Sequence, residues 1–160
     1  MPKVVRNNTK GLFQKSGKGS AGIESVEMSS ATAVAVTVAS YDATVTVPAG
    51  CVITDIGFIA TKAFDVGSSV VQFSAGTNGT NIIAATTVNN TSTDIAANTA
   101  ISVLAANKLH ASGGTIAFAD AAALHSSSER SIILRVGVTS AVLTAAAEFQ
   151  AYVKYVALTE

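Results

Sequence analysis

Residues Thr44 to Ala85, TVTVPAGCVITDIGFIATKAFDVGSSVVQFSAGTNGTNIIAA, constrain the fold more than any other part of the chain, because every segment reads as strand or turn. Val45 and Val47 lead into Pro48-Ala49-Gly50, where proline presets φ and glycine accepts angles that strain other residues. The chain is expected to reverse there. Cys51 to Thr61 follows with β-branched and aromatic residues and apolar side chains on both faces, as in a central strand covered on both sides. Asp65 to Ser68 is the next turn and Val70 to Ser74 the next strand. Gly76 to Asn81 then contains Asn78-Gly79, a strong hairpin signal because both residues tolerate positive φ. Ile82 to Val88 returns beside it. The stretch reads as scaffold rather than active site.

The chain has 160 residues, enough for one domain that buries about two-thirds of its extended surface in a single core. Charged residues make up 12% of it, against 49% hydrophobic. An ordinary soluble domain carries about 25% charge. The longest charge-free run, Val66 to Thr93, is interrupted by Gln72, Asn78, Asn81, Asn89 and Asn90, so no stretch is apolar enough to span a bilayer. The surface is therefore expected to be small and neutral, and covered in part by other protein chains. Ten basic residues balance ten acidic ones, which argues against wholesale nucleic-acid binding. The single cysteine, Cys51, sits in an apolar strand and reads as a buried thiol. Asn7, Asn8, Thr9 and Lys10 stand where a signal peptide would place its apolar core, so assembly in a reducing cytoplasm is the expectation.

Residues 1–30 differ from the rest. Lys3, Arg6, Lys10, Lys15 and Lys18 precede the first acid, Glu24, and are half the basic residues of the protein. With glycines at positions 11, 17, 19 and 22, the segment shows neither strand nor helix periodicity and is expected to be an extended arm without regular structure of its own. Three readings are open: a disordered terminus, an arm ordered against an acidic partner, and a phosphate-binding loop. The third rests on Gly17 to Gly22, which matches GxGxxG. It lacks a preceding strand and fails the Walker pattern at Leu12 and Gly19.

The folded domain is expected over residues 31–160, beginning with Val34, Val36 and Val38 in alternation, and Tyr41-Asp42 reads as the corner into the organising stretch. Beyond Val88, Asn89 to Asp94 reads as a polar loop, with Asp94 capping a helical turn over Ile95 to Ala97. Ile101 to Ala105 and Thr115 to Phe118 read as strands, and Asp120 to Leu124 as a second site for one turn of helix. The clearest alternations come last. Ile132, Leu134, Val136 and Val138 share one face, as do Ala147, Phe149, Ala151, Val153, Tyr155 and Ala157. Eight or so short strands, regular turns and almost no helix make two antiparallel sheets packed face to face the compact solution.

No catalytic, cofactor or metal residues are assigned. His110 and His125 fall in expected turns, and with Asp120 and Glu129 they match neither HxH nor HExxH spacing. No GxSxG elbow is present, and the acids are scattered singly. The absence of tryptophan weakens a sugar-binding reading; Tyr41, Tyr152 and Tyr155 are candidates for packing or a subunit interface instead.

The succession from Thr44 to Thr86, together with SIILRVGVTSAVLTAAAEFQAYVKYVAL near the C-terminus, resembles the jelly-roll structural proteins of tailed-bacteriophage virions over about Ala33 to Leu158. The resemblance implies an antiparallel jelly-roll sandwich behind an N-terminal arm, no enzymatic activity and no cofactor. It implies a virion protein on the capsid exterior, most simply a decoration (cement) protein that binds the major capsid protein as a homotrimer. The basic arm departs from the family pattern, and its five cations are then candidates for the capsid contact. The alternative is a tail or fibre module that binds a receptor or carbohydrate through Asn89 to Asp94 or Ser126 to Arg130.

Overall fold

The computed structural model describes residues 24–78, 82–89, 94–102 and 124–158, and the backbone of Lys3–Asn7 and Gly11–Ser16. Among the described residues there are twelve strands: β1 Lys3–Asn7, β2 Gly11–Ser16, β3 Glu24–Met28, β4 Thr32–Val34, β5 Ser40–Val47, β6 Cys51–Lys62, β7 Val70–Gly76, β8 Ile83–Thr87, β9 Thr99–Ser102, β10 His125–Ser126, β11 Arg130–Thr139 and β12 Ala147–Ala157. Six strands form one sheet, in which β6 and β12 pair at the centre, β3 and β4 flank β12, and β9 and β10 flank β6. The other sheet runs β5-β11-β7-β8. All of these pairs are antiparallel, and the protein is the all-β sandwich expected of the sequence.

The alternations in β11 and β12 place Ile132, Leu134, Val136 and Val138 from one sheet against Phe149, Ala151 and Val153 from the other, all of them buried. Phe58 of β6 lies at the middle of this core. Its ring centroid is 5.9 Å from Phe64, 5.6 Å from Phe73 and 5.9 Å from Phe149, so one side chain joins both sheets. Each such aromatic pair contributes roughly 0.5–1.5 kcal/mol beyond the area it buries.

Several local expectations are corrected. Pro48-Ala49-Gly50 does turn the chain, with Gly50 at φ 68°, but β5 and β6 do not pair with each other: the turn carries the chain from one sheet to the other. Residues 36–38 are bends, so the expected valine strand stops at Val34, and Val36 and Val38 are exposed. Tyr41-Asp42 lies within β5 rather than at a corner. Ile95 forms an antiparallel bridge to Phe64 in place of a helical turn, because Asp94 spends its Oδ1 on the Val66 N–H, 2.9 Å away, and not on a local cap. Lys3–Asn7 and Gly11–Ser16 form a two-stranded antiparallel sheet, where no regular structure was expected. Val4, Val5, Leu12 and Phe13 supply the strand-forming residues that the glycine content obscured. Glu24–Met28, expected in the arm, pairs along β12 from Tyr152 to Val156. The expected elements within residues 103–123 lie outside the described residues.

Candidate interaction surfaces

Antiparallel pairing sets Tyr152 of β12 opposite Gly57 of β6, on the face of the larger sheet that points away from the core. Gly57 leaves room for the tyrosine ring. A Cβ there would stand 2.7 Å from the Tyr152 hydroxyl and 2.1 Å from the Ile101 carbonyl oxygen. The hydroxyl donates to Asp55 Oδ2 at 3.1 Å, and Ser102 Oγ donates to Asp55 Oδ1 at 2.5 Å. Three strands, β6, β9 and β12, are thus tied through one carboxylate. Burial, and then the charge on Asp55, push the Tyr152 phenol well above its ordinary range.

Tyr155 points to the opposite face of the same strand. Its hydroxyl donates to Glu27 Oε1 at 3.3 Å, which fastens β3 to β12, and burial followed by the Glu27 charge pushes its pKa up to about 12. Tyr41 is in the other sheet, with its hydroxyl 2.9 Å from Thr37 Oγ1 and 3.3 Å from the Ala35 carbonyl oxygen. The three tyrosines singled out from the sequence are therefore not brought together. Each hydroxyl has an intramolecular partner.

On the outer face of the smaller sheet, Asp42 and Arg135 stand directly opposite each other and form a two-pronged pair with both contacts at 2.7 Å. The Arg135 hydrogen bond holds the Asp42 carboxyl below its usual range. Elsewhere Glu24 accepts from Thr54 at 3.0 Å and lies 3.9 Å from Lys154 Nζ, and Glu148 accepts from Thr61 at 2.7 Å. Sequence reasoning missed these ties because the partners are 30 to 130 residues apart, from Glu24 and Thr54 to Glu24 and Lys154.

The loops considered for receptor binding are partly committed to the fold. Asn89 is 1% exposed and its Oδ1 accepts the Val71 N–H at 2.6 Å. Asp94 holds Val66 as described. Arg130 donates to the Leu124 carbonyl at 2.6 Å, and Ser126 Oγ accepts from the Ser128 N–H at 3.1 Å. Residues 90–93 lie outside the described residues. His125 opens β10 and is exposed, and His110 and Asp120 lie outside the described residues. Among the described residues, no three His, Cys, Asp or Glu side chains converge as metal ligands. Cys51 is buried, and its thiol is pushed up by that burial. Of the expected capsid-contact cations, Lys3 and Arg6 fall in β1 and Lys15 in β2, while Lys10 and Lys18 lie outside the described residues. The remainder of the chain carries the other five basic side chains and all ten acidic ones.

No family model and no curated protein sequence matches the chain. Among solved structures it is similar to a chain described as part of the cyanophage Pam1 capsid asymmetric unit, with a TM-score of 0.46 and 16% identity over 95% of this chain and 97% of the other.

Proposed function

We propose that this chain is a structural protein of a tailed-bacteriophage particle: a jelly-roll decoration protein that binds the outside of the capsid shell as an oligomer and holds its subunits together. One observation carries the reading. Glu24, Glu27, Asp42, Asp55, Asp94 and Glu148 are each engaged in fastening one strand or loop to another. These six carboxylates serve as ties across a scaffold rather than converging on a cleft, which supports a mechanical role. The pattern of strands and turns that resembles phage jelly rolls supports the same reading, as does the low charge of the chain.

The cations of the N-terminal segment supply the attachment. Five positive side chains and no negative one in the first 22 residues suit an acidic surface on the major capsid protein. Attachment to several shell subunits at once raises the free energy needed to separate them, and linking contacts through one chain multiplies their effect. The test is co-sedimentation of the full chain, and of a variant lacking residues 1–22, with empty shells of the phage that encodes it. Binding by the full chain and loss of binding by the truncated one is the expected result. Equal binding by both overturns the role of the cations, and no binding by either moves the protein to the tail or fibre.

A further inference from the structure

We propose that the open edge of β3 is a contact between two copies of this chain, in which β3 pairs antiparallel with β3 of a second copy about a two-fold axis at Val26. This goes beyond the proposed function and does not depend on it.

Among the described residues, β3 pairs with β12 alone and ends the larger sheet. The Ser29 N–H donates to the Ala151 carbonyl at 2.9 Å, which fixes the alternation of the strand. Residues two apart present their backbone groups to the same side, so Ser25 and Glu27 bond toward β12, and Glu24, Val26 and Met28 offer theirs to the open edge. An edge of this kind is a template for another strand. Proteins usually guard such edges with charged side chains, lysine above all, with proline or with a bulge. The run Glu24-Ser25-Val26-Glu27-Met28 has no lysine, proline or bulge, and its edge-facing charge, Glu24, is engaged by Thr54 and Lys154. Instead it exposes Val26 at 50% and Met28 at 46%. Val36 and Val38, exposed in the link from β4 to β5, continue the apolar character along the chain.

A second β3 fits this edge by its own sequence. Only outward-facing residues can pair with outward-facing ones, and the register centred on Val26 uses all three from each copy: Val26 faces Val26, and each Glu24 faces Met28 of the second copy. The interleaved positions set each Ser25 opposite Glu27 of the second copy, a hydroxyl donor against a carboxylate acceptor. Shifting the register to centre on Glu27 would bring two carboxylates face to face, and centring on Glu24 would do the same. Complementarity of charge and backbone therefore selects one arrangement, which is isologous and closes as a dimer. A two-fold pair is distinct from the three-fold arrangement that the family resemblance implies, and the solution mass separates the two.

The test begins with the solution mass of the full chain by sedimentation equilibrium. A dimer is expected; a monomer or a trimer overturns the proposal. Val26→Pro removes an N–H from the open edge and none from the β3–β12 ladder. It should halve the mass and leave the far-ultraviolet circular dichroism unchanged, and a V26P protein that stays dimeric overturns the proposal. Should V26P fail to fold, Val26→Lys makes the same test by placing a charge at the axis. The register is checked by mixing S25C and E27C copies under mild oxidation, since directly opposed residues of a non-hydrogen-bonded pair approach closely enough for a disulfide. The mixture should cross-link and S25C alone should not; failure of the mixture overturns the register.

Discussion

The ring of Tyr152 lies over Gly57 of the neighbouring strand, and its hydroxyl reaches past the glycine to Asp55. The glycine weakens β6 locally, and the tyrosine restores the lost packing from across the ladder. Gly57→Ala should destabilise the protein by about 1–3 kcal/mol, because a Cβ at that position collides with a carbonyl oxygen as well as with the ring. Removing the ring in a G57A/Y152A double variant should not restore stability, since the Ile101 carbonyl remains 2.1 Å from the new Cβ. Urea unfolding of both variants checks this.

Tyr152 and Tyr155 both hold their protons more tightly in the folded protein than in the unfolded chain, where a tyrosine titrates near 10. Above that pH the unfolded state has released protons that the folded state retains, so stability should fall from about pH 10 upward and continue falling toward about pH 12, where Tyr155 titrates. Tyr155→Phe should make the loss shallower. Thermal unfolding between pH 8 and 12, with and without the substitution, measures the difference.

Asn89 is buried, and its Oδ1 accepts the Val71 N–H. Asn89→Ala leaves the Val71 N–H, in a fully buried residue, without this acceptor at 2.6 Å. A cost of about 1–3 kcal/mol is expected for such an orphaned group. Faster amide hydrogen exchange at Val71 should localise the damage to β7.

The Asp42–Arg135 pair is half exposed, with side-chain exposures of 41% and 36%, and should matter less than its geometry suggests. Arg135→Ala is expected to cost no more than about 1 kcal/mol in dilute buffer and less in high salt. The Asp42 carboxyl is held below 3.8, so the contribution of the pair is present above that pH and is lost as the pH falls through the lowered value. Chemical denaturation at pH 7 and pH 3 compares the two.

What the sequence disclosed was the part governed by local periodicity. Alternation in Ile132 to Val138 and in Ala147 to Tyr155 fixes which face is buried, and Asn78-Gly79 announces the hairpin of β7 and β8. Pairing partners are a different matter. Pro48-Ala49-Gly50 signals a turn equally well whether the next strand folds back beside the last or crosses to the other sheet. Asp42 resembled a corner residue because its partner, Arg135, is 93 residues away. Asp94 reads as a helix cap for the same reason: Val66, 28 residues earlier, owns its hydrogen bond. The candidate surfaces were legible as residue types, in the cations of residues 3–18, and not as geometry. The unguarded edge of β3 became visible only once β12 was placed beside it.

Placing β12 between β6 and β3 also has a temporal consequence. The last strand to be synthesised of the twelve is the one on which Glu24–Met28 and Cys51–Lys62 both wait for a hydrogen-bonding neighbour. At typical synthesis rates of about 5–20 residues per second, the emerging chain spends several seconds with Glu24–Met28 lacking its β12 neighbour and with one edge of Cys51–Lys62 still open before Ala147 appears. A chain interrupted short of that point cannot complete the larger sheet at all. Prematurely terminated products should therefore be recognised as unfolded and degraded, so that only chains translated through β12 reach the stage at which subunits associate.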